Sequence, residues 1–262
     1  SQGARMGSKS AVRGKRVTKQ LMTAAKVKKI VTSLAEKKIC QDDLSIDITA
    51  YNGLNWPNQS IIPVSPTATY LQIDQGVAQD QRIGNKIRPY SCTLDMMFFG
   101  NIYNATSNTF PYPTMVRIIV FSIKDNNDVP TSLPNFFQAG STASPPISTG
   151  MDMILPVNRD VYTPYYDRII KVGTNGWPTD IAGGNPNAGG YGNNDYSLNP
   201  SLKVDVTKYM PSVVTYNDNN SIPTSKAVFV TFLASRSDGA SSNPNMIPAK
   251  CFASLKFKYT DE

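Results

Sequence analysis

Beyond residue 40 the chain is divided into short runs of Val, Ile, Phe, Tyr and Thr separated by clusters of Pro, Gly and Asn, the pattern of antiparallel strands joined by turns. The runs predict eight strands, over residues 67–74, 86–99, 115–124, 161–172, 201–209, 213–216, 226–235 and 251–259. In the second, Cys92, Leu94, Met96 and Phe98 alternate with Ser91, Thr93, Asp95 and Met97, so only the first set must face a core. Leu202, Val204 and Val206 alternate in the same way with Lys203, Asp205 and Thr207, as do Leu255, Phe257 and Tyr259 with Ser254, Lys256 and Lys258. Residues 115–124 are different: apart from Arg117 they are almost continuously apolar. That strand needs cover on both faces, from the other sheet, a loop or a neighbouring subunit. Eight such strands fit an all-β fold, a single eight-stranded antiparallel jelly roll in which two sheets form a sandwich.

The N-terminus follows another pattern. Residues 1–16 are small, polar and basic, with no periodicity that could bury a face. From 17 to 38, Val17, Leu21, Ala24, Ala25, Val31, Leu34 and Ala35 recur at helical spacing and lysines occupy much of the remaining surface. The expected organisation is therefore a basic arm over 1–39, with an amphipathic helix at about 17–38, followed by a shell-like β domain over 40–262. A basic helix of this kind can face nucleic acid, lie solvated on a surface or dock on a membrane. The last use is disfavoured by an apolar stripe made mostly of Ala and Val, with no aromatic anchor.

Charge sharpens this division. Eleven of the 26 Lys and Arg residues lie in the first 38 positions against one acid, Glu36, a net of +10; the remainder, with 15 cations and 18 anions, stands at −3. A chain that gathers its positive excess on one terminal segment is suited to hold a polyanion by a tether, and single-stranded nucleic acid is the expected partner. Clusters such as Arg13-Gly14-Lys15-Arg16 also fit a signal read by nuclear import machinery, a weak pattern that any nucleic-acid-binding tail produces.

Catalysis has little to stand on. The chain has no histidine, which removes Ser-His and Cys-His nucleophiles and the HExxH zincins together, and it has no GxxxxGK[ST] loop. Cys40, Cys92 and Cys251 are odd in number and far apart, so neither a disulfide framework nor a zinc knuckle is indicated, and they read as small buried hydrophobes. No cofactor is expected; calcium held at subunit junctions by Asp42, Asp43 and Asp218 is weaker than solvated or capping roles for them. No apolar run approaches the roughly 20 residues that span a bilayer, and the N-terminus lacks a signal peptide's apolar segment. The long Gly- and Asn-rich connection 173–200, with Trp177 and Tyr191, is expected on an exposed rim or a subunit contact, and Trp56 within 52–66 is expected to pack rather than stack on a base.

Several motifs carry a resemblance. Residues 75–87 (QGVAQDQRIGNKI) resemble the link between the first two jelly-roll strands in capsid proteins of small circular Rep-encoding single-stranded DNA (CRESS-DNA, circovirus-like) viruses. Arg117-Ile118-Ile119-Val120-Phe121 with Asp125 and Pro130 is similar to that family's third strand and turn, Tyr166-Asp167-Arg168 to its fifth-strand Asp-basic step, and residues 257–261 to its closing Tyr-x-Asp. The basic helix also resembles the arm of the satellite tobacco necrosis virus coat protein.

The resemblance implies a coat protein that assembles with copies of itself into the smallest icosahedral shell, with its arm inward on the genome, in a virion formed in the host nucleus or cytoplasm and recognised by a cell-surface receptor. The candidate nucleic-acid-binding residues are Arg5, Lys9, Arg13, Lys15, Arg16, Lys19, Lys26, Lys28, Lys29, Lys37 and Lys38 of the arm, together with Arg82 and Lys86. The last two match an R-x-G-x-K/Q pattern that either braces the strand link or meets nucleic acid. An RNA satellite coat protein and a non-viral jelly-roll binding module are the alternatives.

Overall fold

The computed structural model of the chain describes residues 26, 37–48, 58–60, 73–100, 113–124, 133, 135–147, 149–173, 198–220, 223–225, 228–237, 239 and 249–261. Two compact units divide the chain, Ser1–Ala35 and Glu36–Glu262. Of the first, Lys26 alone is described; it is helical and exposed. The second unit is built from β1 (Lys37–Ile48), β2 (Asn58–Ser60), β3 (Lys86–Gly100), β4 (Thr114–Ile123), β5 (Phe137–Ala139), β6 (Thr142–Ser144), a single turn α1 (Met151–Ile154), β7 (Tyr162–Val172), β8 (Ser201–Asp205), a 3-10 turn (Thr207–Tyr209), β9 (Val214–Thr215), β10 (Phe229–Arg236) and β11 (Ala249–Asp261).

One sheet runs β1-β11-β3-β8, with β9 on the free end of β3, and the other runs β2-β10-β4-β7. Every pair is antiparallel: β1 with β11, β2 with β10, β3 with β8 and β4 with β7. The first strand thus pairs the last and the pairing closes inward, which is a long antiparallel ribbon rolled upon itself. This is the jelly roll expected from the sequence.

Two boundaries differ from expectation. The strand that opens the roll is β1, and it begins at Lys37, so Lys37 and Lys38 are extended where a helix was expected to end. Leu44, Ile46 and Ile48 alternate with Ser45 and Asp47, and all twelve residues pair with β11. A continuous ladder outweighs the weak helical preference of its first residues. In consequence the motif at 75–87 does not join the first two strands; it follows β2 and leads into β3. Most of the strand expected at 67–74 lies outside the described residues, and at its end Ile73 is buried and Asp74 exposed, neither in a strand. The loops holding Trp56, Trp177 and Tyr191 also lie outside them. The run 201–209 is a strand only to Asp205; there the Asp205 carboxylate accepts the Thr207 N–H at 3.0 Å and turns the chain.

Between the sheets, Leu94, Phe98, Leu255, Phe257 and Val204 meet Val116, Ile118, Val120, Val230 and Phe232. Phe98 and Phe232 bridge the layers, ring centroids 6.1 Å apart. The second sheet has a core on its other face as well, where Ile119, Phe121, Phe229 and Leu233 are covered by Leu133, Phe136, Phe137, Met153 and Val157. These last five come from the stretch between β4 and β7, so the cover demanded by the apolar run 115–124 is supplied by the chain's own insertion. Arg117 fastens it: its guanidinium binds both Asp167 oxygens, at 2.8 and 2.6 Å, and donates to the carbonyls of Asp152 and Leu155 at 2.6 and 2.8 Å.

Phe121 sits among Phe136, Tyr162 and Phe229, with ring centroids 5.3 to 5.7 Å away. Phe121→Ala should therefore cost about 3–5 kcal/mol in denaturant unfolding; a loss below about 1 kcal/mol would show that the insertion does not form this second core. A pH series gives an independent check. Burial raises the thiols of Cys40 and Cys251 to about 11 and about 12 and the Tyr162 hydroxyl to about 12, and pushes up Cys92, Tyr216 and Tyr259. Such groups stabilise the fold fully below their unfolded values and lose that contribution as pH rises through the folded ones. With no histidine to titrate, stability should be nearly flat from pH 5.5 to 8 and fall steadily above about pH 9. A transition near pH 6.5 would contradict this.

Candidate nucleic-acid interface

The thirteen basic candidates separate into three groups. Arg5, Lys9, Arg13, Lys15, Arg16, Lys19, Lys28 and Lys29 lie outside the described residues, while Lys26, Lys37 and Lys86 are exposed. Lys38 and Arg82 are inside the fold, at 1% and 0% exposure. At both positions the charge is met by groups of the fold itself.

Lys38 lies on the inward side of β1, where its ammonium meets the Asp261 carboxylate at 3.1 Å and donates to the Gln81 carbonyl at 2.6 Å. Asp261 ends β11, so the pair joins the chain's first strand to its last. Among the described residues no carboxylate meets Arg82. Instead it donates to the carbonyls of Gly84 at 2.6 Å, Asn217 at 3.2 Å and Asn220 at 2.6 Å and to Asn85 Oδ1 at 3.0 Å, and it lies 4.4 Å over the Tyr216 ring. Four oxygens receive the two terminal nitrogens and an aromatic face covers the plane, while Nε is buried without a partner among the described residues. Of the two roles open to the R-x-G-x-K pattern, Arg82 takes the bracing one: it ties the link before β3 to the turn after β9.

Cations are arranged in rows on the outward side of the first sheet. Lys37, Thr260 and Arg88 stand opposite one another on β1, β11 and β3, Lys37 exposed, Arg88 half-buried and Thr260 buried beneath them, and the adjacent row is Ile39, Lys258 and Ser91. Lys86 lies two residues before Arg88 and on the same face. All four charged residues here, Lys37, Lys86, Arg88 and Lys258, are cations. The carboxylates that raise the Cys40 thiol after burial does, those of Asp42, Asp80 and Asp74, act on the opposite side of β1, toward which Cys40 points. Between Lys258 and Tyr259 the ladder with β3 slips by one residue, leaving Tyr90 without a partner on β11. Pro89 lies at the slip, where a residue with no N–H interrupts the ladder least. Tyr90 is 56% exposed, and the Lys37 ammonium lies 4.9 Å from its ring centroid. Sequence reasoning missed Arg88, Tyr90 and Lys258; the available signal was the alternation Lys86-x-Arg88 running into a mid-strand proline.

Farther along the same face is a depression of about 640 Å³, lined by Asp43, Asp95, Met97, Ser201, Lys203 and Phe252 among others. Met97 and Phe252 are 44% and 49% exposed, and Phe99 meets Phe252 edge-on at 5.5 Å. Asp95 lies between Lys203 at 3.5 Å and Lys256 at 3.3 Å, so the apolar floor has a charge-paired rim. The candidate calcium ligands do not converge. Asp42 and Asp43 point to opposite sides of β1, Asp43 accepts from Gln41 and Ser254 contacts hold its carboxyl below the usual range, and Asp218 accepts from Asn85. Among the described residues no group of three potential metal ligands occurs.

No protein-family model and no curated protein matches the chain. Among solved structures it is similar to a chain of Desmodium yellow mottle tymovirus, at 10% identity over 100% of this chain and 96% of that one, with a TM-score of 0.35. It is also similar to a chain from the full particle of Israeli acute paralysis virus heated to 63 degrees, at 10% identity over 98% and 80% of the two chains, with a TM-score of 0.28. Likeness this distant leaves the function to be argued from the residues themselves.

Adjacent lysines with opposite surroundings give a direct test of this geometry. Asp261→Asn leaves the buried Lys38 ammonium without its counter-ion and should lower unfolding stability by about 3 kcal/mol. Lys37→Ala, one residue away and exposed, should stay within about 0.5 kcal/mol of wild type. Equal effects would mean that Lys38 is not the buried member of the pair.

Proposed function

We propose that this chain is a viral coat protein that assembles with copies of itself into a small closed shell and packages single-stranded nucleic acid through its N-terminal segment. The role is structural and non-catalytic. The observation that carries the reading is the joining of residues 1–35, which hold nine Lys or Arg and no acid, to a jelly roll whose first strand is locked to its last. A lone binding domain has no use for such a segment, whereas a shell that must gather a polyanion does.

The physics couples packaging to assembly. Many cationic segments confined in one cavity repel strongly until phosphates neutralise them, so a filled particle is favoured over an empty one. Backbone contacts by flexible Lys and Arg read no bases, and the arm carries no aromatic residue, so the cargo is chosen by strand type and availability rather than sequence. The charge-paired rim and apolar floor around Phe252 and Met97 suit contacts between copies. The motif resemblance supports the finer assignment: a single-stranded DNA genome of the circular Rep-encoding kind, in a shell of the smallest icosahedral class, within a virion formed in the host cell.

Deletion of residues 1–35 should leave the β domain folded, with its unfolding midpoint within a few degrees of wild type, while nuclease-protected nucleic acid in recovered particles falls at least tenfold. Deletion through residue 38 should in addition destabilise the domain, since it removes Lys38. For the full chain, log affinity for a single-stranded oligonucleotide should fall with log salt at a slope of up to roughly 6, about 0.7 for each arm cation engaged. Retention of protected nucleic acid by the shorter deletion would overturn the reading, and digestion of the protected material with DNase and RNase separates a DNA genome from an RNA one.

A further inference from the structure

Resting on that reading, we infer that the β domain holds a second nucleic-acid contact, a base-stacking platform made by Tyr90 among the cations Lys37, Lys86, Arg88 and Lys258, that takes an unpaired nucleotide of a single strand.

The platform follows from the ladder. Register between β3 and β11 slips at Lys258/Tyr259, and the unpaired residue is an aromatic one, turned out of the sheet to 56% exposure. A bulge re-aims a side chain, and here it lifts a ring from a surface whose other positions hold long cations. Lys37 and Arg88 stand across Thr260 from each other, two strand spacings or roughly 10 Å apart. Lys258 lies one row away from them, and no acid faces outward in either row. A strand laid here meets the exposed ammoniums of Lys37 and Lys258 beside a ring that is more than half exposed and can take one base. The Lys37 ammonium already sits against that ring, 4.9 Å from its centroid, and marks the ring as a cation-tolerant surface beside which a phosphate is neutralised.

Continuity with the arm makes nucleic acid the occupant. Lys37 is both the last exposed cation of the +10 segment and the first residue of β1. A strand gathered by the arm is therefore delivered to this surface by the chain's own connectivity. The arm supplies charge without rings and the platform supplies a ring among charges, so the two contacts differ in kind: one counts phosphates, the other senses whether bases are present and unpaired.

The test uses the full chain and two fluorescent 12-mers with equal phosphate counts, oligo(dT) and a fully abasic strand, titrated by anisotropy at fixed salt. Wild type should bind oligo(dT) about tenfold more tightly than the abasic strand. Tyr90→Ala should abolish that preference while leaving abasic affinity unchanged, and Tyr90→Trp should restore it. Ultraviolet cross-linking of oligo(dT) should label the peptide containing Tyr90. A base preference that survives Tyr90→Ala, or equal binding of the two strands by wild type, overturns the platform while leaving the packaging role intact. Failure of both strands to bind at low salt removes the packaging role itself.

Discussion

A lysine ammonium buried at the end of an edge strand must find an anion, and the one Lys38 finds belongs to the last strand of the chain. This pair fixes where the cationic segment ends and the β domain begins. Residues 1–35 carry nine Lys or Arg and no acid, and from Lys37 onward every residue of β1 pairs with β11. Because β1 borders the first sheet, its start is held by β11 on one side and, on the other, by the Ile39 N–H on the Gln79 carbonyl at 3.3 Å and the Lys38 ammonium on the Gln81 carbonyl. The Lys38 contact with Asp261 joins the two ends of the rolled ribbon.

A second buried cation works by different means. Arg82 is solvated by backbone carbonyls and a tyrosine face rather than by a carboxylate, so it organises two loops without adding a net ion pair. Arg117, with its fork on Asp167, clamps the insertion that turns the second sheet into a two-sided layer. The three buried cations thus share one task at three places: each closes a loop or terminus against the sandwich where apolar packing alone does not reach. Among the exposed cations, Lys37, Lys86 and Lys258 stand on the outer face of the first sheet, whereas Arg168 and Lys171 lie on β7 of the second.

How much of this was legible in the sequence depended on whether alternation was kept. Residues 92–98, 201–206 and 251–259 alternate faithfully, and their inward sets, Cys92 to Phe98, Leu202 to Val206 and Leu255 to Tyr259, are the buried ones. β1 was concealed because its inward positions begin with Lys38, Cys40 and Asp42, so its first half does not look half-apolar, and the lysines before it extend a helical period across the boundary. The two-sided burial of residues 115–124 could be read from composition, but not which part of the chain supplies the cover. For the candidate site, residue type gave charge and not direction. Lys37 and Lys38 are identical letters on opposite faces, Arg82 looks like any other loop arginine, and Tyr90 owes its exposure to a one-residue slip that only the pairing partner reveals.

The state of the sulfur atoms has a consequence for how copies of this chain would hold together. Cys92 and Cys251 are buried, Cys40 is partly so, and all three thiols are shifted toward the protonated form. Near neutrality burial holds these thiols in the protonated, weakly nucleophilic form. Covalent stapling between neighbours is thus slow, and any lattice they build relies on contacts that break and reform. A subunit seated in the wrong orientation can leave again, which is the condition for a closed object to correct its own mistakes.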